Sequence, residues 1–290
     1  MDADASFSAS LRLLRAGEYL EGWRLYEARR QLARIDVMKP ITEAPEWSGE
    51  PLSGKRIVVC AEQGFGDQIM FGRYLPQLVD LGAEVVLSCH PKLARLFERA
   101  GYWTRACLQD RPIPDCDVWT VFGSLPRHVG GPLPAPDYLS LGVHRGGEGV
   151  GVVGVGSPLH TNDAARSLNG DQLATLLRFG RDLLPEATGL YDFADTADLI
   201  LGLDLVVTVD TAIAHLAGSL GVPVWVLLAT PADWRWGTHE RSAWYPSARL
   251  FRQPAPGDWS QVLRDAESAL GERHDSHQDA PSATSAGCDA

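Results

Sequence analysis

Residues 205–228, LVVTVDTAIAHLAGSLGVPVWVLL, constrain the fold of this chain most tightly. A fully apolar strand pattern, Leu205–Val209, gives way to a helical one, Thr211–Leu220, and then to a second apolar strand, Val222–Leu228. Strand, helix and strand in that order make a parallel sheet with a helical crossover. The alternation recurs upstream. Arg56–Cys60 reads as a strand, Asp67–Leu81 as a helix, Glu84–Ser88 as a strand, Pro91–Ala100 as a helix and Asp117–Val121 as a short strand. Residues 130–149 are rich in Gly and Pro and mark a boundary. Beyond it come the strand Val150–Val155, the helix Asp171–Arg178, a weak strand Ala187–Tyr191 and the helix Thr196–Leu203. Arg249–Phe251 is a last short strand and Trp259–Leu270 a closing helix.

The expected fold class is therefore α/β, with two Rossmann-like halves. A helical hairpin precedes them, because Leu11, Leu14, Leu20, Trp23 and Tyr26 recur at helical spacing on either side of Gly17. The expected division is a hairpin at 1–38, a first half at 39–148 opening on a Pro- and Gly-rich linker, a second half at 149–271 and a disordered polar tail at 272–290. A chain of 290 residues suits two domains of ordinary size. Its formal charge of −11 argues against a broad nucleic-acid surface but leaves room for a local anion site. No apolar run approaches the roughly 18 residues of a membrane span, and no signal pattern opens the chain. The cysteines, Cys60, Cys89, Cys107, Cys116 and Cys288, are odd in number and lack Cys-x-x-Cys spacing, which fits reduced thiols in a cytoplasmic protein.

In open parallel sheets, ligands bind beyond the carboxyl ends of the strands. The first such loop is EQGFGDQ, residues 62–68. Gly64 and Gly66 allow backbone angles or close approach that a Cβ would block. Asp67 at the helix start is either an N-cap carboxylate or a general base facing the cleft, and an Asp held by several N–H bonds makes a weak base. Glu62 and Gln63 stand beside it. The loop lacks Walker spacing and a third Rossmann glycine, and its carboxylate would repel a pyrophosphate, so it favours an acceptor hydroxyl.

The second half carries the anion-binding candidates. GSPLHTNDAARSL, residues 156–168, offers Arg166 with Ser157, Thr161, Ser167 and His160 as phosphate ligands, or is a polar loop ahead of an N-cap at Asn169. At the end of the 205–209 strand, Asp210 and Thr211 open a helix whose amides at Ala212 and Ile213 face the cleft. His215 follows one turn later. Either these residues bind a phosphate, or Asp210 or Thr211 caps the helix and His215 is a satisfied core histidine. Trp234, Trp236, Trp244 and Tyr245 in residues 231–247 supply faces for a sugar or base, or cap the sheet end, with Arg235, Arg241 and Arg252 adding positive charge nearby. The histidines are scattered and no Asp-x-Asp pair stands out, so no metal site is expected.

Together GEYLEGWRLYEAR, PEWSGEPLSGKRIVVCAEQGFGDQIMFGRYLP, GSPLHTNDAARS, DFADTADLILGLDLVVTVDTAIAHLAGSLGVPVWVLL, DWRW, WYPS and LFRQPAPGDW resemble the glycosyltransferase domain of bacterial tetratricopeptide-repeat proteins, related to the heptosyltransferases of glycosyltransferase family 9. The resemblance runs from about Gly17 to Leu270. It implies a GT-B fold, with the nucleotide-sugar donor bound mainly by the second half and a protein or glycan acceptor by the first. It maps the family's catalytic base onto Asp67 and its donor motif onto Asp210, Thr211 and His215. It implies single-displacement inversion with neither metal nor cofactor. Gln63, Gly64, Gly66, Trp234 and Trp236 are the candidate sugar or acceptor contacts. Two departures stand out: one hairpin replaces several repeats, and the stretch 179–191 is shorter than the family pattern. The shortening motivates a second expectation, a catalytically degenerate binding or scaffold protein of the same fold. An epimerase of GT-B type would need acid and base carboxylates with a His beside the sugar in the second half, a set not seen here.

Overall fold

The computed structural model describes residues 2–35, 37, 39–106, 112–130, 133–139, 141, 142, 144 and 146–278, with the backbone alone at 106 and 274–278. Cys107, Cys288 and residues 279–290 of the expected tail lie outside the described residues.

Two helices, α1 (Ala3–Arg15) and α2 (Tyr19–Tyr26), form the opening hairpin. They approach closely because a Cβ on Gly22 would stand only 2.6 Å from Leu14 Cδ2. The first sheet follows as β1 (Arg56–Cys60), α3 (Phe65–Phe71), α4 (Leu75–Asp80), β2 (Glu84–Cys89), α5 (Pro91–Arg99), β3 (Trp103–Ala106), β4 (Val118–Val121) and α6 (Leu125–Val129). Its strand order is β3-β2-β1-β4, all parallel. The second comprises β5 (Val150–Val153), α7 (Asp163–Arg166), α8 (Gly170–Leu177), β6 (Arg181–Asp182), α9 (Pro185–Thr188), α10 (Phe193–Leu201), β7 (Leu205–Val209), α11 (Ala212–Ser219), β8 (Val224–Leu228), β9 (Ala248–Arg252) and α12 (Trp259–Gln278). Its order is β6-β5-β7-β8-β9, again all parallel.

Strand periodicity splits each sheet between two faces. In β1, Ile57 and Val59 join the large core, while Val58 and Cys60 face a smaller cluster with Val86 and Val121. In β7, Val206 points to the large core and Leu205, Val207 and Val209 to a cluster closed by α12. The large core is continuous across both halves and the hairpin, reaching from Trp23 and Tyr26 through Phe71 and Leu216 to Trp244.

Four expectations change. The weak strand placed at 187–191 is instead the two-residue β6 at Arg181–Asp182, followed by the one-turn α9 with proline at its start. Strand β3 joins the sheet edge where the sequence reading had none. The 39–54 segment is held to the first sheet, with Glu46 bridged to Trp119 and Trp47 N–H bonded to Trp119 O at 2.8 Å. Helix α12 runs on to Gln278, past the point at 272 where order was expected to end.

Candidate active site

The two halves meet along a seam. The first turn of α3 lies against the first turn of α11: a Cβ on Gly66 would stand 2.8 Å from His215 Cδ2 and 3.4 Å from Ala212 Cα. Beside it, α5 and α10 are joined by Arg95 to Asp195 at 2.8 Å and Arg99 to Asp198 at 2.7 Å, with Arg95 also bonded to Asp192. Phe65 and Phe193 close this side, ring centroids 5.3 Å apart.

The loop after β1 differs from its sequence reading in two respects. Gly64 has φ −86°, which any residue adopts, whereas Gln63 has φ 55° and is the only non-glycine residue with positive φ among the described residues. Gln63 and Gly64 are exposed, and Gln63 Nε2 donates to Tyr26 Oη at 3.3 Å. Helix α3 begins at Phe65 with Gly64 as N-cap, so Asp67 is the third helical residue rather than the first. Asp67 Oδ2 accepts from Gly64 N–H at 3.0 Å. Its Oδ1 accepts from Arg235 Nη2, across the seam. Asp67 thus secures the helix start and also faces the second half. Glu62 is fully buried, bonded to Arg29 of the hairpin at 2.8 Å.

On the other side, Thr211 caps α11, its Oγ1 accepting from Ile213 N–H at 3.3 Å and lying 3.1 Å from Thr208 Oγ1. Arg166 Nη1 donates to Asp210 O at 2.8 Å and its Nε to Asp163 Oδ1 at 3.3 Å, which ties the α7 loop to the end of β7. Ser167 Oγ accepts from Gly156 N–H at 2.9 Å, so this serine shapes the loop. Ser157 and His160 are exposed on the same loop, and Asn162 N–H donates to His160 Nδ1 at 3.1 Å. Partial desolvation, then the Arg166 charge, pushes His160 down from the ordinary imidazole range.

His215 is buried at 5% exposure. Its Nδ1 lies 2.9 Å from Tyr245 Oη, and Trp236 stacks on its ring at 5.2 Å and 19°. Burial, reinforced by Arg235, pushes it down to about 3, so the ring is neutral. Trp234 and Trp236 are 4% and 1% exposed, which corrects the expectation of stacking platforms. Their faces are taken by protein: Trp234 packs edge-on against Trp23 and Trp244, and Trp236 lies against His215 and Tyr245.

The electrostatic centre of the seam is Arg235, which the sequence offered only as nearby positive charge. Asp233 Oδ1 accepts from Arg235 N–H at 3.0 Å and from its Nη1 at 2.8 Å, and the guanidinium lies 4.6 Å over the Trp234 ring. Burial opposes its charge, but Asp233 and Asp67 outweigh burial and hold Arg235 cationic well above its usual range. Burial also works to raise Asp233, yet Arg235 overrides it and keeps that carboxyl low. Asp210 is pushed up to about 6 by burial and then by the charge of Asp233. A hydrogen bond from the buried Trp236 side chain works against that rise. Asp67, Arg235, Asp233, Asp210 and Arg166 thus converge from the first loop of one sheet and three loops of the other. The sequence signal for Asp233 and Arg235 was present in DWRW, where an N-cap Asp stands two residues before an Arg.

Two depressions of about 450 and 530 Å³ lie elsewhere, along the β9–α12 edge near Arg249 and Glu272. Arg252 lines the first and Arg241 the second, and the other candidate site residues line neither. Among the described residues no group of three or more His, Cys, Asp or Glu is placed to hold a metal ion, and no helix is long and apolar enough to cross a membrane.

Two parallel α/β sheets meeting at loops that follow their strands define a two-lobed, GT-B-like protein. Residues 137–255 match the family model for glycosyltransferase family 9 (heptosyltransferase). Protein FlbA of Caulobacter vibrioides is 28% identical over 324 aligned positions, covering 91% of this chain and 54% of FlbA, so the chain spans about half the length of that curated relative. E. coli heptosyltransferase WaaC with ADP-2-deoxy-2-fluoro heptose superposes with a TM-score of 0.51 at 11% identity, over 75% of this chain and 99% of WaaC. A glycosyl transferase family 9 protein of Veillonella parvula gives 0.50 at 12%, over 77% of this chain and 99% of its own. These two structures establish likeness of fold, and the family match supports a glycosyltransferase, its sugar type open.

Proposed function

We propose that the chain transfers a sugar from a nucleotide-sugar to a hydroxyl of a protein or glycan, with inversion and without a metal. The acceptor oxygen attacks the anomeric carbon while Asp67 takes its proton. The bond from that carbon to the phosphate oxygen breaks, and its electron pair leaves with the nucleotide. Charge growing on the phosphate is met by the first amides of α11, by Thr211 and by Arg166, with Ser157 and His160 completing the loop above. The buried, neutral His215 supports the α11 turn from behind. Gln63, Gly64 and Gly66 border the acceptor side. The observation that carries this reading is the direct packing of Gly66 on Ala212, which sets Asp67 beside the start of the anion-binding helix. We read the hairpin as one remaining unit of a tetratricopeptide-type array and the setting as cytoplasmic.

The test is a panel of ADP-, UDP-, GDP- and CMP-sugars, with ADP-linked sugars first because the WaaC structure carries one. One donor should raise the melting temperature, Arg166→Ala should remove that rise, and Asp67→Ala should abolish transfer while donor binding persists. No shift with any donor would end the donor-site reading. A second reading has its own observation: Asp67 is already bonded to Arg235, as in a fold kept for binding alone. Retained donor binding with no transfer or donor hydrolysis by the wild-type chain would favour it.

A further inference from the structure

We infer that Arg235 couples donor occupancy to the freedom of Asp67: the guanidinium holds the Asp67 carboxylate across the seam, and a donor phosphoryl oxygen takes that place, leaving Asp67 open to the acceptor hydroxyl. The inference rests on the donor-site reading above and adds a positioning residue to it.

Three features carry it. First, Arg235 is anchored at one end only. Its Nη1 and backbone amide are committed to Asp233 and its plane lies over buried Trp234, so Nη2 is the end that reaches Asp67. A guanidinium fork matches phosphate as well as carboxylate, so one anion can replace the other with little movement.

Second, the other cation beside the end of β7 is engaged. Arg166 is bonded to Asp163 and to the Asp210 carbonyl. A diphosphate entering here meets Asp67, Asp163, Asp210 and Asp233, and needs a second positive group turned toward it.

Third, the distances are short. Gly66 touches the first turn of α11, so the residue after it and the proposed phosphate site share one edge. The charged and titratable groups facing Arg235 are Asp67 from α3, Tyr26 from the hairpin, Asp233 from its own loop, Asp210 from the end of β7, His160 from the α7 loop, His215 from α11 and Tyr245 from the segment before β9. The consequence is an order of events, with the donor seated before the acceptor's proton can be taken.

Inorganic pyrophosphate isolates the event from sugar and base. Calorimetric titration at fixed ionic strength should show Asp67→Asn binding it about tenfold more tightly than wild type, because Arg235 no longer has to leave a carboxylate. Arg235→Gln should weaken binding by a similar factor, and the double variant should match Arg235→Gln alone. Should Arg235→Gln fail to fold, Arg235→Lys keeps the charge without the fork and should bind more weakly than wild type. Should Asp67→Asn bind pyrophosphate no better than wild type while Arg166→Ala loses it, the coupling is overturned and the donor site stands. Should no variant bind pyrophosphate or any nucleoside diphosphate, both are overturned.

Discussion

Asp67 and Arg235 stand 168 residues apart in the chain and share a hydrogen-bonded ion pair across the seam. Their side chains are 17% and 13% exposed, so water screens the pair only in part. Removing one partner leaves the other poorly compensated. Asp67→Ala should therefore lower unfolding stability by about 2 kcal/mol, and adding Arg235→Met should lower it further, because that change also takes from Asp233 the guanidinium that holds its carboxyl low. Urea unfolding of the single and double variants measures both.

A second buried pair fastens the hairpin. Arg29 and Glu62 side chains are both 0% exposed, and Arg29 also bonds Ser124 Oγ at 3.0 Å. Glu62→Gln keeps the shape and removes the charge, leaving the guanidinium with Glu27 alone. A loss of about 3 kcal/mol is expected, with faster tryptic cleavage within the hairpin. Unchanged urea midpoints and cleavage rates would show that the pair adds nothing to docking.

Acid stability should reveal two opposing groups. His215 is held down to about 3 and Asp210 up to about 6, against about 6.5 and 3.9 in an unfolded chain. Between about pH 4 and 6 the unfolded chain protonates His215 and the folded chain does not, so this group costs stability as pH falls. Over the same window the folded chain protonates Asp210 and the unfolded chain does not, so this group adds stability as pH falls. The two slopes, each about 1.4 kcal/mol per pH unit, nearly cancel. Asp210→Asn removes the second, and its stability should fall with acid more steeply than wild type by about that slope. Urea midpoints at several pH values between 4 and 6 read the difference directly.

Gln63 sits at φ 55° at the mouth of the seam. A β-branched residue tolerates that conformation poorly, so Gln63→Val should destabilise by about 1–2 kcal/mol, while Gln63→Gly should be close to neutral. Thermal unfolding of the two variants distinguishes backbone strain from the loss of the bond to Tyr26, which both share.

The apolar strands were legible because burial on both faces leaves a continuous hydrophobic run, as in Leu205–Val209. Strand β3, WTRA, escaped because it is an edge strand whose Trp103 is 64% exposed, so no apolar run marks it. Strand β6 was misplaced because ATGLY has strand-like composition, while the two residues that pair with β5, Arg181 and Asp182, are charged. At the candidate site, Asp67, Asp210, Thr211 and His215 could be found locally, since each lies at a strand end or within the first turn or so of the helix that follows it. Arg235 as partner of Asp67 could not, because pairing across lobes depends on how two sheets dock. The aromatic loop misled for a related reason. Trp234 and Trp244 fill the space under Trp23, and the hairpin that supplies Trp23 is more than 200 residues away in sequence.

Trp23 touches Phe71 of one lobe and Trp234 and Trp244 of the other, while Arg15 bonds Ala232 O and Arg29 bonds Glu62. The hairpin is thus a strap riveted to both lobes. Any hinge motion that widens the gap must either carry the strap along with one lobe or peel it from the other. Parting of the two lobes is thus resisted by a segment that also borders the seam, where Tyr26 accepts from Gln63.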